Sequence, residues 1–384
     1  MKPVEKSGVD SRLAGGRLTI DLDALVANYQ ALKKMSGNAR CAAVVKANAY
    51  GLGADKVVEA LWGIGCDTYF VALPQEGFAI KRLYPKATVF VLNGLHAQSI
   101  DSIAEGNLVP VLASIEQIEL WARYWQKRGS RRPCAIQVDT GMNRLGLSVE
   151  EAIAFRARNL KEHLVTPMLI MSHLACADEP SHPLNARQLE SFQKVASVFD
   201  DVESSLANSS AIQSGDDYLF DLTRPGIALY GGESIEDVVN TMQPVITLEA
   251  RIVQIRDVPK GETVSYGATQ TLERDSRIAT VSVGYADGYP RAGSGAGVAL
   301  RNAVDSAAHG SIQGHKVPLL GRMTMDLSMF DVTGVPDEAL ARGWIELIGR
   351  DILLDDAARA AGTIGYELLT SLGHRYERIY VSNG

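Results

Sequence analysis

The chain is poor in cysteine and has no long apolar run. Its 384 residues include four scattered cysteines that match neither a zinc site nor a disulfide framework: Cys41, Cys66, Cys134 and Cys176. No stretch approaches the roughly 18 consecutive apolar residues of a membrane span, and residues 1–19 lack the apolar core of a signal peptide. We therefore expect a cytoplasmic, thiol-reduced protein with no metal centre and no membrane partner.

An excess of one charge is also missing. Lys and Arg together number 38, and Asp and Glu 45, which leaves a net charge of −7 with both signs interspersed. This balance argues against a nucleic acid or an anionic membrane as the main partner. Hydrophobic residues make up 46% and charged residues 22%, as in a soluble globular protein. A chain of this length exceeds one ordinary core and favours two domains.

Residues 17–243 alternate short apolar runs with segments of helical periodicity, after a flexible tail expected over residues 1–16. Asp23 is expected to end an extended run at 18–23 and to cap a helix. The apolar runs are 42–45, 69–72, 89–92, 108–112, 135–138, 168–171, 205–207 and 220–223, and helical segments include 54–61, 99–104, 115–125, 150–158 and 185–199. Eight strands alternating with helices predict a (β/α)8 TIM-type barrel. The alternative is an open doubly wound sheet, but no G-x-G-x-x-G motif follows the first strand.

Residues 244–384 follow a different pattern and predict a mostly β C-terminal domain. Strands are predicted at 245–255, 278–283, 317–320, 327–332 and 345–348, with a turn at 259–262. Short helices are predicted at 355–361 and 366–372. Residues 292–311 are rich in Gly, Ala and Ser and are expected to form a loop.

Polar groups follow the carboxyl ends of the predicted barrel strands, where barrels carry their chemistry. In strand order they are Lys46, Arg144, His173, Ser209, Arg224 and Gly226. Each alone has a structural explanation, such as a loop lysine that reaches solvent or a half-buried histidine. Together they favour a site, because a buried lysine becomes a neutral nucleophile that can form a Schiff base. The backbone at Gly226 and the hydroxyl of Ser209 suit a phosphate, which points to pyridoxal 5'-phosphate.

Four motifs resemble those of alanine racemase, a fold-type III pyridoxal-phosphate enzyme. They are VVKANAYG at 44–51, TGMNRLG at 140–146, RPGI at 224–227 and VSYG at 264–267. The resemblance covers residues 18–381 and implies an isomerase that interconverts L-alanine and D-alanine by a two-base mechanism. Lys46 would form the Schiff base with the cofactor and act on the D-isomer, and Tyr266 would act on the L-isomer.

The same resemblance implies roles for the other candidate residues. Arg144 would bind the substrate carboxylate, His173 would stack on the pyridine ring, and Arg224 would meet the pyridine nitrogen. The implied phosphate contacts are Tyr50, Ser209, Gly226, Ile227 and Tyr366, and the residues implied to close the substrate pocket are Tyr285, Met325 and Asp326. Tyr266 and Met325 would come from a partner subunit, so a head-to-tail homodimer with shared active sites is implied.

Some positions depart from the family pattern. Gln137 stands where some members carry a carbamylated lysine, Asn143 stands where many have glycine, and the loop at 292–311 is longer than usual. A strict preference for alanine over serine therefore stays open, as does a role in D-alanine supply for peptidoglycan or in alanine catabolism.

Three other classes of protein are alternatives for a chain of this kind. A fold-type III decarboxylase of basic amino acids is the nearest, but Arg224 and Met325 depart from its pattern. A non-catalytic pyridoxal-phosphate carrier lacks the β domain, and a metal-dependent barrel hydrolase needs a paired-His or carboxylate cluster.

Overall fold

The computed structural model describes residues 2–8, 12–295 and 308–382, and these form two compact units. The barrel unit consists of Val26–Leu229 and Ser234–Thr241. The β unit consists of the described parts of Met1–Leu25, Tyr230–Glu233 and Met242–Gly384. The division near 230–242 lies close to the expected boundary at 243, but the N-terminal segment belongs to the β unit.

The N-terminal segment differs from the expected flexible tail. Strand β1 is Lys2–Gly8 and strand β2 is Gly16–Asp21. Strand β1 pairs antiparallel with the last strand of the chain, Glu377–Ser382, which also pairs in parallel with β2. Backbone hydrogen bonds to the end of the chain therefore order residues that local composition marks as a polar tail.

Helix α1, Leu22–Met35, follows β2 directly and begins earlier than expected. The carboxylate of Asp21 accepts hydrogen bonds from the backbone N–H groups of Asp23 at 3.0 Å and Ala24 at 2.9 Å. Asp21 therefore caps the helix, and the expected cap at Asp23 is wrong. Two acidic residues stand two positions apart, and only the backbone geometry decides which one precedes the first turn.

The barrel unit contains short parallel strands joined by helices. Its strands are β3 (Arg40–Cys41), β4 (Ala43–Val44), β5 (Thr68–Val71), β6 (Thr88–Val91), β7 (Val109–Leu112), β8 (Pro133–Gln137), β9 (Thr166–Met171), β10 (Glu203–Ser205) and β11 (Leu222–Thr223). Strands β4 to β10 pair in sequence order. Strands such as β5 and β7 are buried along their whole length, as parallel strands covered on both faces must be.

Hydrogen bonds at β11 close this sheet. Strand β11 pairs in parallel with β3, which together with β4 forms the first barrel strand. On its other side, the N–H of Asp221 donates to Ser204 O at 3.0 Å and the N–H of Arg224 donates to Ala207 O at 2.9 Å. The predicted eight-stranded barrel is therefore confirmed.

The helices of the barrel unit follow the predicted segments closely. They are α2 (Lys46–Tyr50), which is a left-handed turn after its first residue, α3 (Ala54–Gly63), α4 (Pro74–Leu83), α5 (Ile100–Glu105), α6 (Ile115–Gln126), α7 (Val149–Glu162), α8 (Pro183–Val198) and α9 (Ser209–Ser214). Elements α2, α4 and α9 add to the predicted segments, and Gly77 in the middle of α4 weakens its helical pattern. Helices α6 and α7 begin at serine caps that accept backbone N–H groups.

In its described residues, the β unit continues after the barrel as a mostly antiparallel sheet, a separate two-stranded sheet and three short α-helices. Its elements are β12 (Ile246–Val258), β13 (Thr263–Val264), β14 (Gln270–Thr271), β15 (Ser276–Val281), β16 (His309–Ile312), β17 (His315–Leu320), β18 (Ser328–Asp331), α10 (Asp337–Leu340), β19 (Trp344–Ile348), α11 (Leu354–Ala360), α12 (Gly365–Ser371) and β20 (Glu377–Ser382). In the described residues the order is β1-β20-β2-β12-β15-β18-β17-β16-β19, and β12 also pairs with β19. The predicted β-rich C-terminal domain is confirmed.

The expected loop at 292–311 is only partly covered. Residues 296–307 lie outside the described residues, and β16 begins at His309. The loop prediction is therefore wrong for its last residues. Gly310 has the isoleucine side chain of Ile345 where its own side chain would stand, so a glycine in this strand supports close packing rather than a turn.

Candidate active site

Lys46 stands at the end of the first barrel strand and begins an unusual turn. The next four residues, Ala47 to Tyr50, all have φ between 52° and 56°. A left-handed conformation costs roughly 1–2 kcal/mol for each residue that has a Cβ atom. Conformational strain of this kind persists only where surrounding contacts hold it, and it is concentrated at functional sites.

Several hydrogen bonds hold this left-handed turn. The N–H of Ala47 donates to the carboxylate of Glu76 at 2.6 Å. The N–H of Ala49 donates to Val45 O at 2.9 Å, and the side-chain oxygen of Asn48 accepts from Ala54 N at 2.8 Å. The turn therefore fixes the backbone on the carboxyl side of Lys46.

The surroundings of Lys46 favour its neutral form. Burial and the nearby charge of Arg144 lower the pKa of the Lys46 amine, and Glu76 opposes them by raising it. A neutral amine is the nucleophilic form of lysine. The environment of Lys46 therefore fits a lysine that attacks a carbonyl group.

Arg224 is a buried cation at the end of the eighth barrel strand. Its guanidinium donates to the hydroxyl of Ser205, to Ser172 O at 2.6 Å and to Leu206 O at 3.4 Å. Among the described residues, no carboxylate forms an ion pair with it. Burial lowers the pKa of Arg224 to about 9, so the group is still protonated at neutral pH. Three of its five N–H donors are used by these described groups.

His173 follows the sixth strand and is neutral. Burial, and after it the charges of Arg224, Arg144 and Lys46, lower the pKa of His173 to about 3. Arg224, Arg144 and Lys46 therefore lie close enough to this ring, at the rim of the barrel, to oppose its protonation. A neutral ring in this place suits stacking against a flat heterocycle better than proton transfer near neutral pH.

Hydroxyl and N–H groups meet where the barrel closes. The N–H of Gly226 donates to Ser209 Oγ at 2.8 Å, and that of Ala228 does so at 3.4 Å. The Tyr50 hydroxyl contacts the Gly226 backbone, in the space that a side chain at Gly226 would need. Tyr50, Ser209 and the adjacent Ile227 are all buried. This cluster has the donors that bind a phosphate.

The loop after the fifth strand is arranged around Asp139. Its carboxylate accepts from Gly141 N at 2.8 Å and Arg144 N at 2.9 Å. Burial raises the pKa of Asp139, but backbone N–H groups from Gly141 to Arg144 outweigh burial and lower it. The loop thereby presents the exposed Arg144 side chain from a fixed backbone.

The candidate residues of the β unit lie on neighbouring turns. The N–H of Tyr285 donates to Thr324 O at 3.1 Å, and Asp326 pairs with Arg375 at 2.9 Å. The hydroxyl of Ser265, which precedes Tyr266, donates to Arg322 O at 2.6 Å. The turns that carry Tyr266, Tyr285, Met325 and Asp326 are thus tied together.

Two of the candidate residues on these turns have large, exposed side chains. Tyr266 is 71% exposed and Met325 is 54% exposed. Tyr366, the second residue of α12, is 37% exposed, and its assignment to the phosphate stays a prediction.

Two family models match the chain in sequence. One describes the alanine racemase N-terminal domain and matches residues 20–234, and the other describes the C-terminal domain and matches residues 245–380. The chain belongs to the alanine racemase family.

Known alanine racemases match over nearly the whole chain. An alanine racemase of Rhizobium meliloti (strain 1021) is 52% identical, and the match covers 96% of this chain and 97% of that protein. A biosynthetic alanine racemase of Agrobacterium fabrum is also 52% identical, covering 95% and 93%. A catabolic one from the same organism is 44% identical, covering 97% and 93%.

Solved structures of alanine racemases share the fold. The structure from Bartonella henselae, which has covalently bound pyridoxal phosphate, has a TM-score of 0.87 at 37% identity and covers 96% of this chain and 100% of that one. The biosynthetic alanine racemase from Pseudomonas aeruginosa has a TM-score of 0.85 at 35% identity, covering 96% and 100%.

Two departures from the alanine racemase pattern have a structural setting. Asn143 has φ of 55°, a conformation that glycine and asparagine adopt more readily than other residues, so asparagine can replace glycine there. The side-chain amide of Gln137 donates to Val138 O at 3.3 Å. This hydrogen bond runs along its own strand rather than to Arg144.

Two residues near this alanine racemase site were absent from the sequence predictions. Glu76 contacts the turn after Lys46, as described above. Gln188 on α8 is fully buried; it donates to Thr140 Oγ1 at 3.2 Å and to His173 O at 2.9 Å, and it accepts from Ala175 N at 2.8 Å. It thereby joins the loops after the fifth and sixth strands. A glutamine on the buried side of an amphipathic helix was the available signal.

Other kinds of site have little support in the described parts of the chain. No group of three or more His, Cys, Asp or Glu side chains is placed to hold a metal ion there. None of the helices described is both long and apolar enough to cross a membrane.

Proposed function

We propose that this protein interconverts L-alanine and D-alanine, with Lys46 and Tyr266 as bases on opposite faces of the substrate α-carbon. Membership of the alanine racemase family supports the activity and makes pyridoxal 5'-phosphate the cofactor. The residue assignment rests on the lowered pKa of Lys46, together with the hydroxyl and N–H groups of Ser209 and Gly226 that suit a phosphate.

The barrel residues fit the cofactor. Lys46 would hold it covalently, the neutral ring of His173 would stack on it, and Arg224 has N–H donors left for the pyridine nitrogen. Its phosphate would be held by Tyr50, Ser209, Gly226, Ile227 and Tyr366. The close approach of Tyr50 to Gly226 leaves no room there for a side chain, as expected where a backbone N–H must reach a ligand.

Each protein group then has one task in the reaction. Pyridoxal phosphate held by these residues would supply an electron sink that acidifies the proton on the substrate α-carbon. Arg144 holds the substrate carboxylate, and Tyr285, Met325 and Asp326 limit the pocket. The Lys46 amine removes the α-proton of D-alanine, and the Tyr266 hydroxyl returns a proton on the opposite face; the two groups exchange tasks for L-alanine.

Arg224 would limit side reactions such as transamination. A guanidinium donates hydrogen bonds but stays protonated, so it does not supply a proton to the pyridine nitrogen. Beside Arg224 the cofactor would be a weaker electron sink than beside a carboxylate, so transamination and other side reactions at the α-carbon would be disfavoured.

The decisive experiment uses pyridoxal phosphate and L-alanine in heavy water. We expect D-alanine that carries deuterium at the α-carbon. Borohydride reduction should attach the cofactor to the peptide that contains Lys46. Lys46→Ala should lose both signals, whereas Lys81→Ala, which changes a lysine of α4 whose pKa burial also lowers, should keep them. A folded protein that binds the cofactor but forms no D-alanine would overturn the proposal, and release of carbon dioxide would favour a decarboxylase.

A head-to-tail homodimer completes the proposed site. The large exposure of Tyr266 and Met325 in one chain supports it, because a catalytic tyrosine and a hydrophobic residue are better covered by a partner. We expect a mixture of Lys46→Ala and Tyr266→Phe chains to regain activity, since each hybrid dimer has one site with both bases.

The size of that recovery is defined by symmetry. Random exchange of equal amounts makes half of the dimers hybrids, so about a quarter of the original activity should return. No recovery after complete subunit exchange, shown by mass spectrometry, would place both bases within one chain.

A biosynthetic role is supported by the higher identity to the biosynthetic relative, 52% against 44% for the catabolic one. We propose D-alanine supply for peptidoglycan, in the cytoplasm, where L-alanine and the cofactor are available. Complementation of a bacterial strain that requires D-alanine tests this role, and kinetics with serine test the breadth of the pocket.

A further inference from the structure

Glu76 joins two loops of the barrel through the two oxygens of one carboxylate. Oε1 accepts from Ala47 N at 2.6 Å, in the turn directly after Lys46. Oε2 accepts from Ala72 N at 2.8 Å and Leu73 N at 3.0 Å, at the end of the second barrel strand and the start of α4. Oε2 therefore completes the cap of α4, and Oε1 reaches the turn that follows the first barrel strand.

The contact with Ala47 is important because of the conformation there. Ala47 is the first of the four residues of the left-handed turn. It is exposed, so burial contributes little to holding its backbone in place. A charge-assisted hydrogen bond from its N–H group opposes relaxation of the turn. The direction of the neighbouring Lys46 and Tyr50 side chains depends on that turn.

We propose that Glu76 is a positioning residue for Lys46, holding the left-handed turn so that the lysine and Tyr50 keep their places. The inference rests on the proposed function of Lys46 as the cofactor-binding base. Glu76 touches neither substrate nor reacting atoms in this proposal, and acts through the backbone of Ala47.

The charge of Glu76 also acts on the pKa of Lys46, in the direction opposite to burial. Burial and Arg144 lower the pKa of Lys46, and Glu76 partly offsets them. Loss of the carboxylate would therefore let the pKa of Lys46 fall further.

Two variants separate the local cap from the contact with Ala47. Glu76→Gln has one acceptor oxygen in place of two, so it can serve only one of the two loops. Glu76→Asp keeps the carboxylate and the short-range cap, but it is one methylene too short to reach Ala47. The matched control is Glu151→Gln on α7, because Glu151 also completes a helix cap, at 2.8 Å from Ser148 N.

Hydrogen exchange and cofactor binding provide the measurements. In the full-length protein without cofactor, exchange in the peptide that spans residues 44–53 should become about tenfold faster in both Glu76 variants, as the loss of one charge-assisted bond predicts. The dissociation constant for pyridoxal phosphate should rise about tenfold or more. With cofactor saturating, kcat for L-alanine should fall while KM changes little, and the visible circular dichroism of the bound cofactor should change.

The control decides between positioning and general stability. Glu151→Gln should lower the unfolding temperature without changing exchange at 44–53 or cofactor binding. Unchanged exchange at 44–53 in Glu76→Asp, with cofactor binding within about twofold of the original protein, would overturn the inference. Failure of the original protein to bind the cofactor would instead overturn the proposed function, and the exchange comparison would still test the contact of Glu76 with the turn.

Discussion

The hydroxyl of Tyr50 occupies the space that a side chain at Gly226 would require. Tyr50 follows the first barrel strand and Gly226 follows the eighth, so this contact lies where the ring of strands closes. The φ of Gly226 is outside the left-handed region. Glycine is therefore needed here for space rather than for backbone freedom.

Gly226→Ala should weaken cofactor binding. The added methyl group must displace the Tyr50 hydroxyl or shift the backbone, and overpacking of this kind costs about 1–3 kcal/mol. We expect the dissociation constant for pyridoxal phosphate, measured by absorbance titration, to rise about tenfold or more. Gly63→Ala is the matched control, because open space surrounds Gly63.

A double variant tests the cause of that effect. Tyr50→Phe removes the atom nearest to the new methyl group, so adding it to Gly226→Ala should harm binding less than it does in the original protein. Strictly additive losses would contradict the steric explanation.

Arg224→Glu should change the outcome of the reaction. A carboxylate beside the pyridine nitrogen favours its protonation by about one pKa unit or more, and a stronger electron sink permits more side reaction. We expect pyruvate formed per racemisation event to rise about tenfold or more. Arg224→Lys keeps the positive charge and serves as the control; a similar rise in that variant would contradict the explanation.

Tyr266→Phe should affect the two isomers unequally. Loss of one positioned acid–base group costs about 10²- to 10⁴-fold in rate, and we expect racemisation to fall within that range. Exchange of the α-proton of D-alanine with heavy water should persist, because Lys46 is intact, whereas exchange of L-alanine should be lost. Tyr218→Phe, which removes a hydroxyl from the barrel unit, should leave both rates unchanged. Equal loss for both isomers would argue against two separate bases.

Asp355→Asn should stabilise the protein increasingly as the pH rises. Burial raises the pKa of Asp355 to about 6, although the N–H of Glu233 donates to it at 2.7 Å and opposes the shift. The folded protein then binds more protons than the unfolded chain between the ordinary pKa of about 4 and a pH of about 6. The stability that protonated Asp355 contributes is complete below that window and is lost as the pH rises through it.

The size of this effect follows from the shift. About two pKa units correspond to at most about 3 kcal/mol, so the gain in unfolding free energy from Asp355→Asn should grow toward this value between pH 4 and pH 8. Urea unfolding at several pH values measures it, with Asp356→Asn on the same helix as the control. A gain that is constant with pH would contradict the prediction.

The barrel strands were predictable because parallel strands covered on both faces are continuous apolar runs. The runs at 69–72 and 108–112 therefore match β5 and β7 within a residue or two. The shortest strands were located less well: the run expected at 205–207 is Glu203–Ser205. A strand of two or three residues has too little pattern, and its place is set by hydrogen bonds to its neighbours. The place of β1 is also set by hydrogen bonds rather than by local pattern, because its partner β20 lies at the other end of the chain.

The sequence alone determined the four motifs that resemble those of alanine racemases and the order of the barrel strands. The strand order in turn determined which residues reach the carboxyl rim. Both were readable because side-chain type and apolar periodicity are local properties. The left-handed turn after Lys46, the contact of Tyr50 with Gly226 and the braces supplied by Glu76 and Gln188 were decided only by the tertiary structure. These features depend on which distant group accepts a backbone N–H or fills a small space. No local pattern encodes that choice, since backbone donors are the same in every residue except proline.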